Sequence, residues 1–130
     1  MTDASTTPPE LARTYLQKGE EDEAVLRLLA TEAQMPDSAL GMHAHQAVER
    51  YLLAALIAQG FEPNKTRDLG ELMAQLTSVP AHVRAAEFLT AYEVLERDPL
   101  QDVAALDRSQ ALDVVNRIRG WAEEIVSSAG

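Results

Sequence analysis

The chain has 130 residues, of which 46% are hydrophobic and 25% are charged, and this is the usual size and composition of one globular domain. It contains no cysteine, which excludes disulfides, thiolate metal sites and cysteine nucleophiles, and no apolar run approaches the roughly 18 residues that span a bilayer. The formal net charge of −10 argues against extended binding to DNA or RNA, because most of the surface would repel a polyanion. A small site for a nucleotide or an RNA end remains compatible with this charge, and we expect a cytoplasmic protein without a membrane anchor.

The N-terminal segment predicts a tail followed by one domain. Residues 1–8 are small and polar and end in proline, which predicts a disordered tail, and Pro9 is well placed to open a helix. Residues 9–128 are therefore predicted to form a single helical-bundle domain.

The first helix is predicted to continue to a stop at Met35-Pro36-Asp37. Its apolar stripe contains two residues that are not apolar. Gly19 is either a weak point or a place where another helix approaches closely, and Asp22 needs a partner if it is buried. The stripe consists of Leu11, Tyr15, Gly19, Asp22, Leu26, Leu29 and Ala33.

The second helix is the most apolar segment of the chain. Asp37 or Ser38 is expected to cap it, and Gly60 suits the left-handed position just past its end. Apolar residues lie on two sides of this helix, which is typical of a helix at the centre of a fold or at an interface. The broad side comprises Leu40, Ala44, Ala47, Val48, Tyr51, Leu52, Ala55 and Leu56, and the opposite side comprises Met42, Leu53 and Ile57.

Three further helices are predicted. Thr66 caps a short one, with Leu69, Leu72, Met73 and Leu76 on one face. The fourth runs from about Pro80 to Arg97, because Pro99 disfavours helical geometry at Asp98, and it buries Ala85, Phe88, Leu89, Tyr92 and Leu95. The last begins at an Asp107/Gln110 capping box, and its stripe is Ala111, Val114, Val115, Ile118, Trp121, Ala122, Ile125 and Val126.

No segment shows the period-two alternation of a strand, so the predicted fold class is all-α. Short connections between the helices favour antiparallel neighbours. The expected architecture is an up-and-down bundle of about five helices, four long and one short.

The sequence contains none of the common motifs for metal, phosphate or dinucleotide binding. His43 and His45 are two residues apart and point to different faces of a helix, so no metal site is predicted. There is no Glu-x-x-His pair, no phosphate loop and no dinucleotide fingerprint, and most serines and threonines lie in the tail, at helix starts or in turns. We therefore predict no cofactor and no catalytic residue.

A family resemblance is carried mainly by the second helix. Its residues Met42-His43-Ala44-His45-Gln46-Ala47-Val48-Glu49-Arg50-Tyr51-Leu52-Leu53-Ala54-Ala55-Leu56 resemble the pattern of the HEPN (higher eukaryotes and prokaryotes nucleotide-binding) family. That pattern is an aromatic or apolar residue, then x-Ala-x-Gln-Ala-x-Glu-Lys/Arg and a Leu/Ala-rich run. Supporting similarities within residues 15–126 are Gly19-Glu20-Glu21-Asp22, Thr66-Arg67-Asp68-Leu69, Leu89-x-x-Tyr92 and Arg97-Asp98-Pro99.

The resemblance implies a bundle of four or five helices that dimerises and is often encoded beside a minimal nucleotidyltransferase. Many members are metal-independent RNases or nucleotide-binding partners. The RNase branches use an arginine followed four to six residues later by a histidine, and no arginine here has a histidine at that spacing. Arg97, with Asp98 beside it, occupies the position that the resemblance gives to this arginine.

The candidate binding residues on helix two are His43, Gln46 and Arg50, whose spacing puts them on one side where they could hold a phosphate or a base edge. The alternative is that they face water or hydrogen-bond across a dimer interface. Arg97 and the adjacent Asp98 are the other binding candidates, and Arg97 either binds an anion or complements the helix dipole. Asp22 and Glu49 are the structural candidates, and Leu53 and Ile57 are the interface candidates.

Three functions remain open at this level. The first is a dimeric HEPN-like accessory module that binds a nucleotide or a minimal nucleotidyltransferase partner and lacks RNase activity. The second is an active metal-independent RNase or toxin. The third is a structural helical module that docks through the apolar second side of helix two. The sequence does not identify the ligand or a toxin–antitoxin setting.

Overall fold

The computed structural model describes residues 6–129, and all the regular secondary structure in this part of the chain is helical. This confirms the predicted all-α class. No helix within these residues is both long enough and apolar enough to cross a membrane. The helices are α1 (Pro8–Ala30), α2 (Asp37–Ala58), α3 (Leu69–Ala74), α4 (Ala81–Arg84), α5 (Thr90–Arg97) and α6 (Arg108–Ala129), with a 3-10 turn at Glu87–Leu89.

Helix α1 begins one residue earlier than the sequence predicts. Thr7 accepts a hydrogen bond from the backbone N–H of Glu10, and the Glu10 carboxylate accepts one from the N–H of Thr7, so the two form a capping box. Pro8 is the first helical residue, and of the predicted tail 1–8, residues 1–5 lie outside the described part of the chain. The predicted stripe is also wrong to include Ala33, because α1 ends at Ala30 and Ala33 is exposed.

Helices α1, α2 and α6 form the centre of the bundle. The α1–α2 pair is antiparallel and close: a Cβ at Gly19 would lie 2.6 Å from the ring of Tyr51, so Gly19 marks the close approach that the sequence left open. Helix α6 also runs antiparallel to α1, with Arg27 near Asn116 at one end and Ala12 packed with Val126 at the other. Helices α2 and α6 therefore run in the same direction.

Helix α2 is the central helix of the fold, and twelve of its residues are buried. It starts without a side-chain cap, because Pro36 occupies the cap position and both predicted caps, Asp37 and Ser38, lie beyond it. The Asp37 carboxylate instead accepts a hydrogen bond from the Leu106 N–H at 3.1 Å and ties the start of α2 to the approach of α6. Gly60 has a φ of 87°, which confirms the left-handed position predicted just past the helix end.

Helix α3 is capped by Asp68 and not by Thr66. The Asp68 carboxylate accepts a hydrogen bond from the Glu71 N–H at 3.1 Å, while the Thr66 hydroxyl oxygen accepts one from the Asp68 N–H. The predicted start is therefore two residues early, because Thr66 shapes the turn before the cap.

The predicted fourth long helix is broken into α4, the 3-10 turn and α5. Its buried residues Val83, Ala86, Leu89 and Tyr92 recur every three positions, which matches three residues per turn of a 3-10 helix better than 3.6. Ala85, predicted to be buried, is exposed, and its neighbour Ala86 is buried instead. Asp98 is extended, with φ −131° and ψ 92°, as expected before Pro99.

Helix α6 buries most of its predicted stripe. Asp107 accepts a hydrogen bond from the Gln110 N–H at 3.0 Å, which is one half of the predicted capping box. Trp121 and Ile125 are only half-buried, at the edge of the stripe. The fully buried members are Ala111, Val114, Val115, Ile118, Ala122 and Val126.

Candidate functional site

The first polar cluster joins α1 to α2. The guanidinium of Arg50 donates a hydrogen bond from Nη1 to Oδ2 of Asp22 at 2.8 Å. Burial raises the pKa of Asp22 above its ordinary value, although the nearby Arg50 and His43 act in the opposite direction. Asp22 thus has the partner that its place in the α1 stripe requires, and much of the Arg50 charge is already compensated.

The second cluster is a buried pair on α2. The His45 side chain is 0% exposed, and its Nε2 lies 2.8 Å from the carbonyl oxygen of Arg67. A carbonyl only accepts, so Nε2 carries the proton and donates. The other ring nitrogen, Nδ1, lies 4.0 Å from Oε1 of Glu49, and both of these buried atoms lack a hydrogen-bond partner among the described residues.

The two unpartnered atoms of this pair face each other across 4.0 Å. With the proton on Nε2, a neutral His45 presents a lone pair to Glu49, and an ionised carboxylate presents another. A proton on either atom removes this conflict. Burial raises the pKa of Glu49, while His45, Arg67 and Arg50 lower it and Glu93 raises it further. Burial is the largest of these causes, so the pKa of Glu49 is raised overall.

A polar cavity of about 450 Å³ opens beside this pair, between the start of α3 and helix α5. Arg97 donates from Nε and Nη2 to the two oxygens of Glu93, at 2.9 Å each, and Glu93 is only 5% exposed. Arg67 forms no ion pair within residues 6–129. The cavity is lined by Thr66, Arg67, Asp68, Glu71, Thr90, Glu93, Val94 and Arg97.

The two threonines in the cavity keep their hydroxyl protons free. The oxygen of Thr66 accepts from the Asp68 N–H, and the oxygen of Thr90 accepts from the Leu69 N–H, each at 3.1 Å. Each hydroxyl therefore remains a donor toward the cavity. The site offers two guanidinium groups and two hydroxyl donors in one place.

A family model for the HEPN domain matches residues 12–125, which include every residue of both clusters and of the cavity. The chain belongs to the HEPN domain family. No curated protein and no solved structure matches it.

The HEPN pattern on α2 lies at the junction of the two clusters. His43 and Arg50 belong to the cluster that faces α1, whereas His45 and Glu49 face the cavity side. Gln46 is half-buried between them along the helix. The predicted row of His43, Gln46 and Arg50 therefore does not form one pocket with Arg97.

Arg97 and Asp98 are adjacent in the HEPN motif but make different contacts. Arg97 lines the cavity, while the exposed Asp98 accepts a hydrogen bond from the Leu100 N–H at 3.2 Å and shapes the loop after α5. No group of three or more potential ligands within residues 6–129 could hold a metal ion.

Leu53 and Ile57 lie at an apolar groove of about 560 Å³ between the start of α1 and the loop after α2. Leu11 and Phe61, both 38% exposed, lie on its walls. Ile57 is only 8% exposed and packs with Ala12, Ala54 and Val126, so it supports the groove from inside. Leu53 is the more accessible of the two predicted interface residues.

Sequence reasoning missed three residues of the polar network. The sequence analysis assigns no binding or structural role to His45 and Arg67, because a residue's burial depends on neighbours that are distant in sequence. Glu23 is 3% exposed, and its Oε1 accepts a hydrogen bond from the Tyr51 hydroxyl at 2.6 Å. Burial and this contact raise the pKa of Tyr51. The sequence signal for a polar cluster at Glu23 was the neighbouring acid-rich segment Gly19–Asp22.

Proposed function

We propose that this chain is a dimeric HEPN accessory module that binds a nucleotide in the cavity between α3 and α5 and does not cleave RNA. The observation that carries the proposal is that Arg67 and Arg97 line the same cavity as Thr66 and Thr90, whose hydroxyl protons are free. Guanidinium and hydroxyl donors are the groups that bind phosphate oxygens in proteins.

The cavity lining also contains three acids, Asp68, Glu71 and Glu93, and two of them already accept hydrogen bonds from the protein. Asp68 caps α3, and Glu93 holds Arg97. The bond to Glu93 uses Nε and Nη2 of Arg97, so the N–H groups on Nη1 remain available for a phosphate.

The positions of the histidines argue against RNA cleavage. Metal-independent cleavage needs a general acid or base within reach of the RNA backbone. His45 is fully buried, His43 belongs to the α1 side, and His82 lies on α4 beside Arg117. None of them lines the cavity with Arg67 and Arg97.

A minimal nucleotidyltransferase is the protein partner that family membership favours. The apolar groove at Leu53 is the surface that we assign to it, because Leu11 and Phe61 expose apolar area there. Co-purification of such a partner with the wild type, and its loss with Leu53→Glu, would support this assignment.

Calorimetry with ATP, GTP and a short RNA tests the nucleotide site. We expect one nucleotide to bind and Arg67→Ala to weaken it about tenfold or more, because a charge-assisted hydrogen bond is lost. Arg84→Ala is the matched control, since Arg84 is an exposed arginine on α4 away from the cavity.

Results of two kinds, one on binding and one on RNA cleavage, would contradict the proposal. One is equal nucleotide affinity of the wild type and Arg67→Ala, or no binding at all. The other is cleavage of labelled RNA by the purified protein in the presence of EDTA, when that cleavage is lost in His82→Ala.

A further inference from the structure

Arg67 lies in the connection between α2 and α3, and its side chain lines the polar cavity. Residues 61–68 have no regular secondary structure, so no helical ladder of hydrogen bonds fixes the main chain there. Arg67 is exposed and forms no ion pair within residues 6–129. The direction of its guanidinium therefore depends on how the main chain at Arg67 is held.

Within residues 6–129, the hydrogen bonds of Thr66 and Arg67 are of two kinds. The local ones join the Thr66 N–H to the Asn64 carbonyl oxygen at 3.0 Å and the Asp68 N–H to the Thr66 hydroxyl oxygen at 3.1 Å. The Arg67 carbonyl oxygen instead accepts a hydrogen bond from Nε2 of His45 at 2.8 Å, across 22 positions of sequence. This bond ties the main chain at Arg67 to the central helix α2.

His45 holds its end of this bond in a fixed place. Its side chain is 0% exposed, and Ala44 and Val48 beside it on α2 are fully buried as well. Its other ring nitrogen, Nδ1, is buried without a hydrogen-bond partner among the described residues. Such an atom destabilises the fold, and an apolar side chain in the same space would avoid this cost. An apolar side chain could not, however, donate the hydrogen bond to Arg67.

The second guanidinium of the cavity is oriented in a different way. Arg97 donates from Nε and Nη2 to the two carboxylate oxygens of Glu93, so its side chain is held directly. Arg67 has no such carboxylate among residues 6–129. The main-chain bond to His45 is the contact with α2 that remains to orient it.

We propose that His45 is a positioning residue for the cavity between α3 and α5: its Nε2–H holds the Arg67 carbonyl oxygen, and the main chain fixed in this way directs the Arg67 guanidinium to a phosphate group of the ligand. His45 acts through Arg67, because it is not part of the cavity lining itself. A residue that is already ordered loses less freedom on binding, which raises affinity. This inference rests on the nucleotide site of the proposed function.

Two substitutions of His45 separate the hydrogen bond from the packing. His45→Gln keeps a donor, because its amide nitrogen is as many bonds from Cα as Nε2 is, whereas His45→Met fills a similar space without a donor. In calorimetry with ATP and with GTP, we expect His45→Met to weaken nucleotide binding by about tenfold and His45→Gln by less than about threefold. Val48→Ala, a core substitution on the same helix, controls for lower stability and should leave the affinity unchanged.

Trypsin gives a readout that needs no ligand. This protease cleaves after arginine, and the peptide bond after Arg67 contains the carbonyl group that His45 holds. Relative to cleavage after the exposed Arg84 of the same molecule, we expect cleavage after Arg67 to be about fivefold faster in His45→Met and unchanged in His45→Gln. A general loss of stability, as in Val48→Ala, should accelerate both cleavages together.

The double variant H45M/R67A tests whether His45 acts through Arg67. We expect it to bind nucleotide as weakly as Arg67→Ala alone, because the contact that His45 positions is already lost. If the two losses in affinity multiply instead, His45 does not act through Arg67 and the inference is wrong.

The other outcomes separate this inference from the proposed function. If Arg67→Ala weakens binding and His45→Met does not, the role of His45 is overturned and the nucleotide site stands. An equal loss in His45→Gln and His45→Met would mean that the donor does not matter, and an unchanged relative rate of cleavage after Arg67 in His45→Met would mean that His45 does not hold this segment. A wild type that binds neither ATP nor GTP overturns the proposed function and the role of His45 in it together.

Discussion

At the scale of single residues, His45 and Glu49 are notable because their polar atoms are not fully hydrogen-bonded. Each has a buried polar atom without a hydrogen-bond partner among residues 6–129. Such groups are rare in folded proteins, since each costs about 1–3 kcal/mol. The pair lies against the cavity that we assign to a nucleotide, so the charge of Glu49 affects both stability and ligand affinity.

We predict that Glu49→Gln stabilises the protein at neutral pH. Burial raises the pKa of Glu49 above its ordinary 4.5, so the folded state binds this proton more tightly than the unfolded state does. The stability that Glu49 contributes is therefore present below its ordinary pKa and is lost as the pH rises through its raised folded pKa. The neutral glutamine does not suffer this loss.

Thermal denaturation from about pH 4.5 to pH 8 measures the effect. The melting temperature of Glu49→Gln minus that of the wild type should increase with pH. Glu96→Gln is the control, because it removes the same charged group from an exposed position on α5. A difference that stays constant with pH would show that Glu49 keeps an ordinary pKa.

At the scale of elements, the packing of α2 against α5 depends on Gly41. A Cβ at Gly41 would lie 2.3 Å from two ring carbons of Tyr92. The ring cannot simply swing aside, because the Tyr92 hydroxyl donates a hydrogen bond to the carbonyl oxygen of Ala104 at 3.0 Å. The glycine therefore sets the distance between α2 and α5, and with it the position of Glu93 and Arg97 at the cavity.

Gly41→Ala should lower the free energy of unfolding by about 1–3 kcal/mol, because the overpacked methyl group forces the two helices apart. Urea denaturation gives this value. The matched control is Gly120→Ala, which adds the same methyl group to an exposed helical glycine and should raise the free energy of unfolding by up to about 1 kcal/mol. Equal effects of the two substitutions would mean that α5 accommodates the methyl group.

At the scale of the whole molecule, acidic side chains outnumber basic ones. The excess of acidic over basic side chains gives the net charge of −10, and much of the positive charge is paired: Arg50 with Asp22, Arg97 with Glu93 and Arg119 with Glu23. The remaining carboxylates repel one another across the surface, which disfavours the compact state.

We therefore predict that stability rises with ionic strength from about 0.01 M to about 0.15 M, because salt screens this repulsion. Exposed ion pairs weaken over the same range, but each contributes only about 0–1 kcal/mol. The melting temperature should rise equally in sodium chloride and choline chloride. A fall in both salts would show that paired charges outweigh the net repulsion.

Much of the fold was predictable from the sequence, because the periodicity of apolar residues reports helices directly. The apolar stripes of α1, α2 and α6 are visible in the sequence. So are two helix ends: Gly60 adopts the left-handed conformation after α2, and Asp98, which precedes Pro99, is extended after α5. The fourth helix was the exception. Its apolar residues fit a 3.6-residue period nearly as well as a three-residue one, and only the packing of Val83 and Ala86 against the core decided between them.

The candidate site was predictable only in part. The sequence by itself determined the helical class, the resemblance to HEPN domains and the lack of an Arg-x4-6-His pair, since these depend on residue type and spacing. The tertiary structure decided that Arg50 is compensated by Asp22, that Arg97 shares a cavity with Arg67, and that His45 is buried against Glu49. These pairings depend on contacts between distant segments, and such contacts follow from how helices pack together and not from spacing along any one of them.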